Sequence, residues 1–99
     1  MTPEIKKYLQ ELLHDAGQTD LGEEIENQMI EDLYSRLEDR LIITAMGHLS
    51  DAQQEELEGM GKDKAKTEEY LRKNIPNYDQ VFSQVLVDFR NLYIEGSKA

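Results

Sequence analysis

Two histidines, His14 and His48, are the only imidazoles in a 99-residue chain that contains no cysteine. Imidazole moves protons near neutral pH and binds metals, so these two residues set the ceiling on such chemistry. Glu11-Leu12-Leu13-His14 has the Glu-x-x-His spacing with which helical bundles hold paired metal ions. That chemistry needs a second copy and inward projection. The motif occurs once, and Glu11 and His14 straddle the polar side of their helix. The HExxH pattern is absent, and thiolate zinc sites are excluded by composition. Both histidines fall near predicted helix C-termini, where a cation complements the helix dipole. They read as capping or surface residues.

Carboxylates are plentiful, at 21 Asp and Glu against 11 Lys and Arg. The spacing of an Asp-rich calcium loop is nevertheless missing. Gly59-Met60-Gly61-Lys62 lacks the strand and the further glycines that a phosphate-cradling loop requires. The sequence therefore points to a non-enzymatic protein with no catalytic residue, no metal and no cofactor. The remaining chemistry is recognition. Glu24, Glu31 and Glu38 recur at seven-residue spacing with Asp32 and Asp39 beside them, which stacks acids on one helix face. Such a stripe reads either as a solvated face or as a docking surface for a basic partner. Mimicry of DNA is disfavoured, because i+7 steps give about 10 Å between carboxylates, and Arg36 and Arg40 interrupt the field.

These residues need a scaffold, and the apolar spacing supplies an all-α one. Gly22–Met46 reads as one long helix with Ile25, Met29, Ile30, Leu33, Leu37 and Leu41 as its stripe. From Leu41 to Met46 it is apolar all round except at Thr44, so that end is expected to be enclosed. The first helix opens with Thr2 as N-cap and Pro3 at its first position, buries Ile5, Tyr8, Leu9, Leu12, Leu13 and Ala16, and stops at Gly17. Thr19 or Asp20 is placed to cap the long helix. Ser50-Asp51-Ala52-Gln53 matches a capping box and predicts a short helix to about Glu58, with Ala52, Leu57 and Met60 for burial.

Gly59–Gly61 breaks that helix and is expected to be mobile. Asp63 caps a fourth helix to Asn74 with Ala65, Tyr70, Leu71 and Ile75 inward, and with Glu68–Arg72 and Glu69–Lys73 as i,i+4 pairs. Pro76 sets its end. Asn77, with Gln80 as capping partner, opens the last helix. That helix carries Tyr78, Val81, Phe82, Val85, Leu86, Phe89, Leu92 and Tyr93 to a stop at Gly96. The expectation is one compact all-α domain over residues 1–96, four to five helices around the long one, with a frayed tail at 97–99.

The formal net charge is −10, with 15 acidic and 4 basic side chains in residues 1–58. An acidic front half repels phosphate, so nucleic acids and anionic membranes are not expected partners. No apolar run is long enough to span a bilayer, and no signal peptide is apparent, so a soluble cytoplasmic domain is expected.

The order Thr-Pro-Glu-Ile at the start, GEEIENQMIEDLYSRLEDRL in the long helix and NIPNYDQVFSQVLVDFRNLY near the end resembles a small all-helical bacterial domain family. That family is known only as a domain of unknown function and is associated with candidate-phylum bacteria of reduced genome. The resemblance covers nearly the whole chain and is loosest over Asp51–Lys66. It implies an uncharacterised cytoplasmic helical domain, with no activity, ligand or catalytic residue to carry over.

Tyr34, Ile42, Met46, Met60, Val87 and Ile94 lie off the main stripes, beyond what one small core needs. They read either as a fully surrounded helix end or as an interface. The surface singled out for a partner is Glu24, Glu31, Asp32 and Glu38 with Tyr34, Ile42 and Met46. Three roles are open. The chain is an interaction module for a protein partner, a self-associating structural protein, or an acidic inhibitor that displaces nucleic acid from a basic partner.

Overall fold

A computed structural model describes residues 1–61 and 63–98. The chain is all-α, with five helices: α1 (Pro3–Asp15), α2 (Glu23–Met46), α3 (Asp51–Glu58), α4 (Lys64–Asn74) and α5 (Tyr78–Lys98). No strand occurs among the described residues, and none of their helices is long and apolar enough to cross a membrane. The two longest helices are α2, with 24 residues, and α5, with 21. The helices pack into two compact units, Met1–Leu37 with Leu86–Ala99, and Glu38–Val85. The division falls inside α2 and α5.

In the first unit, Thr2 Oγ1 accepts from the Ile5 amide at 3.3 Å and caps α1. Its other end closes as the spacing predicts. Gly17 adopts φ +81°, the Gly17 amide donates to the His14 carbonyl, and the Gln18 amide donates to Leu13. This double bond pattern at a left-handed glycine is a Schellman motif. The cap of α2 differs from expectation. Glu26 N–H donates to the Gly22 carbonyl, which makes Gly22, and neither Thr19 nor Asp20, the first acceptor of the helix. Leu9, Leu12, Leu13, Ile30, Leu33, Leu37 and Phe89 form the buried centre of this unit. Burying one leucine contributes about 1.5–3 kcal/mol.

Ile25 is not part of that centre; it is 52% exposed. Residues of an α-helix are about 100° apart, so each four-residue step overshoots a full turn by about 40°. The series Ile25, Met29, Leu33, Leu37, Leu41, Ala45 consists of such steps and cannot keep to one side. Leu33 to Ala45 are buried, Met29 is half-buried, and Ile25 has rotated outward. Ile30 takes the buried position in its place.

The second unit buries Leu41, Ala45, Leu49, Leu57, Leu71, Ile75, Tyr78, Val81 and Val85. The capping box forms in full: the Gln53 amide donates to Ser50 Oγ at 3.2 Å, and the Ser50 amide to Gln53 Oε1 at 3.0 Å. Of the residues assigned to bury this helix, Leu57 does so, whereas Ala52 and Met60 are exposed. The Gln54 side-chain amide donates to the Met46 carbonyl at 2.8 Å, one of the acceptors that a helix end leaves open. Asp63 caps α4 through Ala65 and Lys66. Ile75 is extended (φ −110°, ψ 108°), as a residue before proline must be.

In α4, Leu71 and Ile75 are buried and Tyr70 is half-buried, but Ala65 faces solvent and Thr67 is buried in its stead. The Thr67 hydroxyl is satisfied by the Asp63 carbonyl at 3.0 Å. Lys73 pairs with Glu69 at 3.2 Å. The Arg72 guanidinium lies over the Tyr78 ring, 5.4 Å from its centroid, and Tyr78 stacks on Phe82 at 6.3 Å. In α5, Leu92 is half exposed instead of buried, and the helix runs on through Gly96 to Lys98. Lys62, from the glycine-flanked break, and Ala99, from the expected tail, lie outside the described residues.

Candidate partner surface

The expected surface separates into two kinds of residue. In the first unit, Glu24, Glu31 and Asp32 are exposed on α2. Asp32 pairs with Arg36 at 3.1 Å across an i,i+4 step. Such an exposed pair contributes little, about 0.3–0.5 kcal/mol. Glu24 and Glu31 form no ion pair among the described residues. Tyr34 is half-buried and already engaged with a neighbour. It belongs to the packing, not to an open face. Ile25, which the spacing assigned to the core, lies instead beside Glu24 with more than half its surface in water.

In the second unit, Glu38 departs from the stripe that Glu24 and Glu31 begin. It is half-buried, and its charge acts on the carboxyl of Glu68 on α4. The rotation of the buried side along α2 turns this position inward. Burial, then the nearby Glu38 carboxyl, raise the Glu68 carboxyl from its ordinary value, while Arg72 and Lys64 pull it down. Next to it, Lys64 Nζ pairs with Asp39 at 3.0 Å. Ile42 and Met46 are half-buried.

The expectation of a fully enclosed Leu41–Met46 segment is overturned by Ile43, which is 71% exposed. Two residues from both Leu41 and Ala45, it points about 160° away from each. Thr44 is also exposed. The apolar surplus of this helix end is therefore outward at Ile43 and packed at Ile42 and Met46. Periodicity computed residue by residue, with a fixed 100° step, would have found Ile43; counting apolar residues in the segment does not.

Both histidines are exposed at helix ends. His14 Nδ1 lies 3.7 Å from Asp15. The Arg90 guanidinium, 2.8 Å from Asp15, holds that carboxyl below its usual value, with a smaller part from His14. A cleft of about 200 Å³ beside Gln10, His14, Gln18, Asp20 and Glu26 occupies the α1–α2 turn. A second, of about 230 Å³, lies among Thr44, His48, Asn77, Gln80 and Gln84. Both are smaller than the roughly 300–1,000 Å³ usual for small-molecule sites. Among the described residues no group of three His, Asp or Glu side chains is placed to hold a metal ion.

The chain belongs to the family described as "Protein of unknown function (DUF5663)", whose model matches residues 12–93. The match runs from the middle of α1 to the last turns of α5, so the opening Thr2–Ile5 stretch lies outside it. No curated protein and no solved structure matches the chain.

Proposed function

We propose, for this member of a family without an assigned role, a non-enzymatic protein-interaction module. Its outward α2 residues Glu24, Ile25, Glu31 and Asp32 dock a protein partner that presents basic side chains around an apolar one. The supporting observation is Ile25: a large aliphatic side chain left in water between carboxylates, inside a unit whose other large apolar groups on α2 are wholly or largely packed. Burying it is stabilisation still available to a complex, and the carboxylates add encounter rate and selectivity. The net charge of −10 directs the same surface away from nucleic acid and anionic lipid. The absence of cysteine suits a cytoplasmic setting.

Affinity capture across a salt series tests this reading. The chain is expected to retain a protein at low salt and release it as salt rises. A Glu24→Gln, Ile25→Ser, Glu31→Gln variant is expected to lose retention at every salt concentration. Retention that this triple change leaves unaltered would remove the surface from consideration.

Ile43 favours a second reading, self-association through the outer side of α2 in the Glu38–Val85 unit, because its exposure exceeds that of every other large apolar residue described. Sedimentation equilibrium separates the two. A dimer that Ile43→Lys converts to monomer supports self-association, and a monomer at millimolar concentration excludes it.

A further inference from the structure

The outward side of α2 carries the same order of groups from either end: apolar, charged, charged, apolar. Ile25 and Ile43 are 18 residues apart on an unbroken helix of 24. That is about five turns, so the helix's own periodicity sets both on one line, roughly 27 Å apart. Both are left in water, at 52% and 71% exposure. Between them, Asp32 and Arg36 fall about 20° to either side of that line. Both are exposed, and they meet each other at 3.1 Å. Tyr34 stands midway along the helix between the two isoleucines, and also midway between the acid and the base.

We propose that α2 pairs antiparallel with α2 of a second copy of this chain, about a two-fold axis at the height of Tyr34. Ile25 of each copy then meets Ile43 of the other, and Asp32 meets Arg36. The inference rests on the self-association reading above and adds to it the full surface and its direction. A two-fold interface must complement itself, because each contact between two positions recurs with the copies exchanged. This line meets that condition in polarity and in charge. Turning one copy end for end puts isoleucine on isoleucine at both ends and, at the centre, each carboxylate beside a guanidinium of the other chain. A parallel pairing would set acid on acid and base on base, and like charges so placed repel. The isoleucines supply apolar burial, while the exposed charges add little energy and fix the direction. Asp39 and Arg40 flank the line, and Asp39 is already held by Lys64 at 3.0 Å. The net charge of −10 on each copy opposes the encounter. At physiological ionic strength, salt screens that repulsion beyond about 8 Å, whereas the paired groups are in contact.

The chain has no cysteine, so an introduced thiol reports which positions meet. Ile25→Cys and Ile43→Cys are made as separate full-length proteins, oxidised mildly alone and in equal mixture, and mapped by peptide mass. Helices packed about 8–10 Å apart bring facing Cα atoms within disulfide reach. The mixture is expected to give the cross-link between positions 25 and 43 as its main product, and each variant alone to stay uncross-linked. By sedimentation equilibrium, Asp32→Arg and Arg36→Asp are each expected to weaken dimerisation about tenfold or more. Their equal mixture is expected to restore it, because the two altered chains complement each other. A cross-link from 43 to 43 in Ile43→Cys alone, or dimerisation indifferent to both charge reversals, overturns this pairing and leaves self-association standing. A wild-type chain that stays monomeric at millimolar concentration removes both.

Discussion

The Tyr8 hydroxyl of α1 donates to the main-chain carbonyl of Leu86 in α5, 2.6 Å away and 78 residues along the chain. Burial pushes the Tyr8 phenol up to about 12, against the opposing charge of Arg90, so it stays a neutral donor throughout the physiological range. Arg90 bonds Asp15 at the end of α1, and the Tyr93 hydroxyl bonds Gln18 in the turn that follows. Three successive positions of α5, each three or four residues from the last, thus tie down one helix and its exit.

Tyr8→Phe removes the first of these ties without emptying its space. The Leu86 carbonyl keeps its place in the helical ladder, so the expected loss is about 0.5–1.5 kcal/mol. Denaturant unfolding of the two proteins measures it, with an unchanged slope as evidence that the fold is kept.

Leu12→Ala and Ile25→Ala apply chemically similar truncations at positions that a stripe count treats as equals. Leu12 is wholly buried, and its loss is expected to destabilise by about 2–5 kcal/mol. At half-exposed Ile25, and at Ile43, the same change is expected to stay within about 0.5 kcal/mol. A large effect at Ile43 in a concentration-dependent assay would instead report a dimer.

Ser50→Ala breaks the reciprocal capping box at the start of α3. The expected cost is about 1 kcal/mol, within the range of about 0.5–2 for such caps. Because α3 has only eight residues and one buried leucine, its amides are expected to lose protection first.

Asp15 and Glu68 are expected to give stability opposite slopes with pH. Asp15 is lowered by Arg90, so its contribution is present above the ordinary aspartate value and is lost as pH falls through the lowered one. Glu68 is raised, so its contribution is present below the ordinary glutamate value and is lost as pH rises toward the raised one. Urea midpoints against pH should have a shallower acid-side slope in Asp15→Asn and a shallower higher-pH slope in Glu68→Gln.

The punctuation of the chain is readable from local chemistry. Thr2, Gly17, Ser50 with Gln53, Asp63 and Pro76 each act on backbone groups within a few residues, so their effect does not depend on distant packing. Which way a side chain faces along a 24-residue helix is a different matter. There, small angular errors accumulate, and Ile25 and Ile43 ended outside while Glu38 ended half inside. The Asp39–Lys64 ion pair joins residues 25 apart on separate helices, and only the tertiary packing of α4 brings them together. Tyr8 and Leu86 present the same difficulty. The spacing identifies both as inward, but not as partners.

The most direct test of the interaction role places a photoreactive amino acid at Ile25, with a second protein carrying it at exposed Lys66 on α4 as control. Irradiation in lysate from the source cells is expected to give one discrete protein adduct from position 25 that weakens with salt, and none from position 66. Equal labelling from both positions, or no adduct from position 25, would contradict the account.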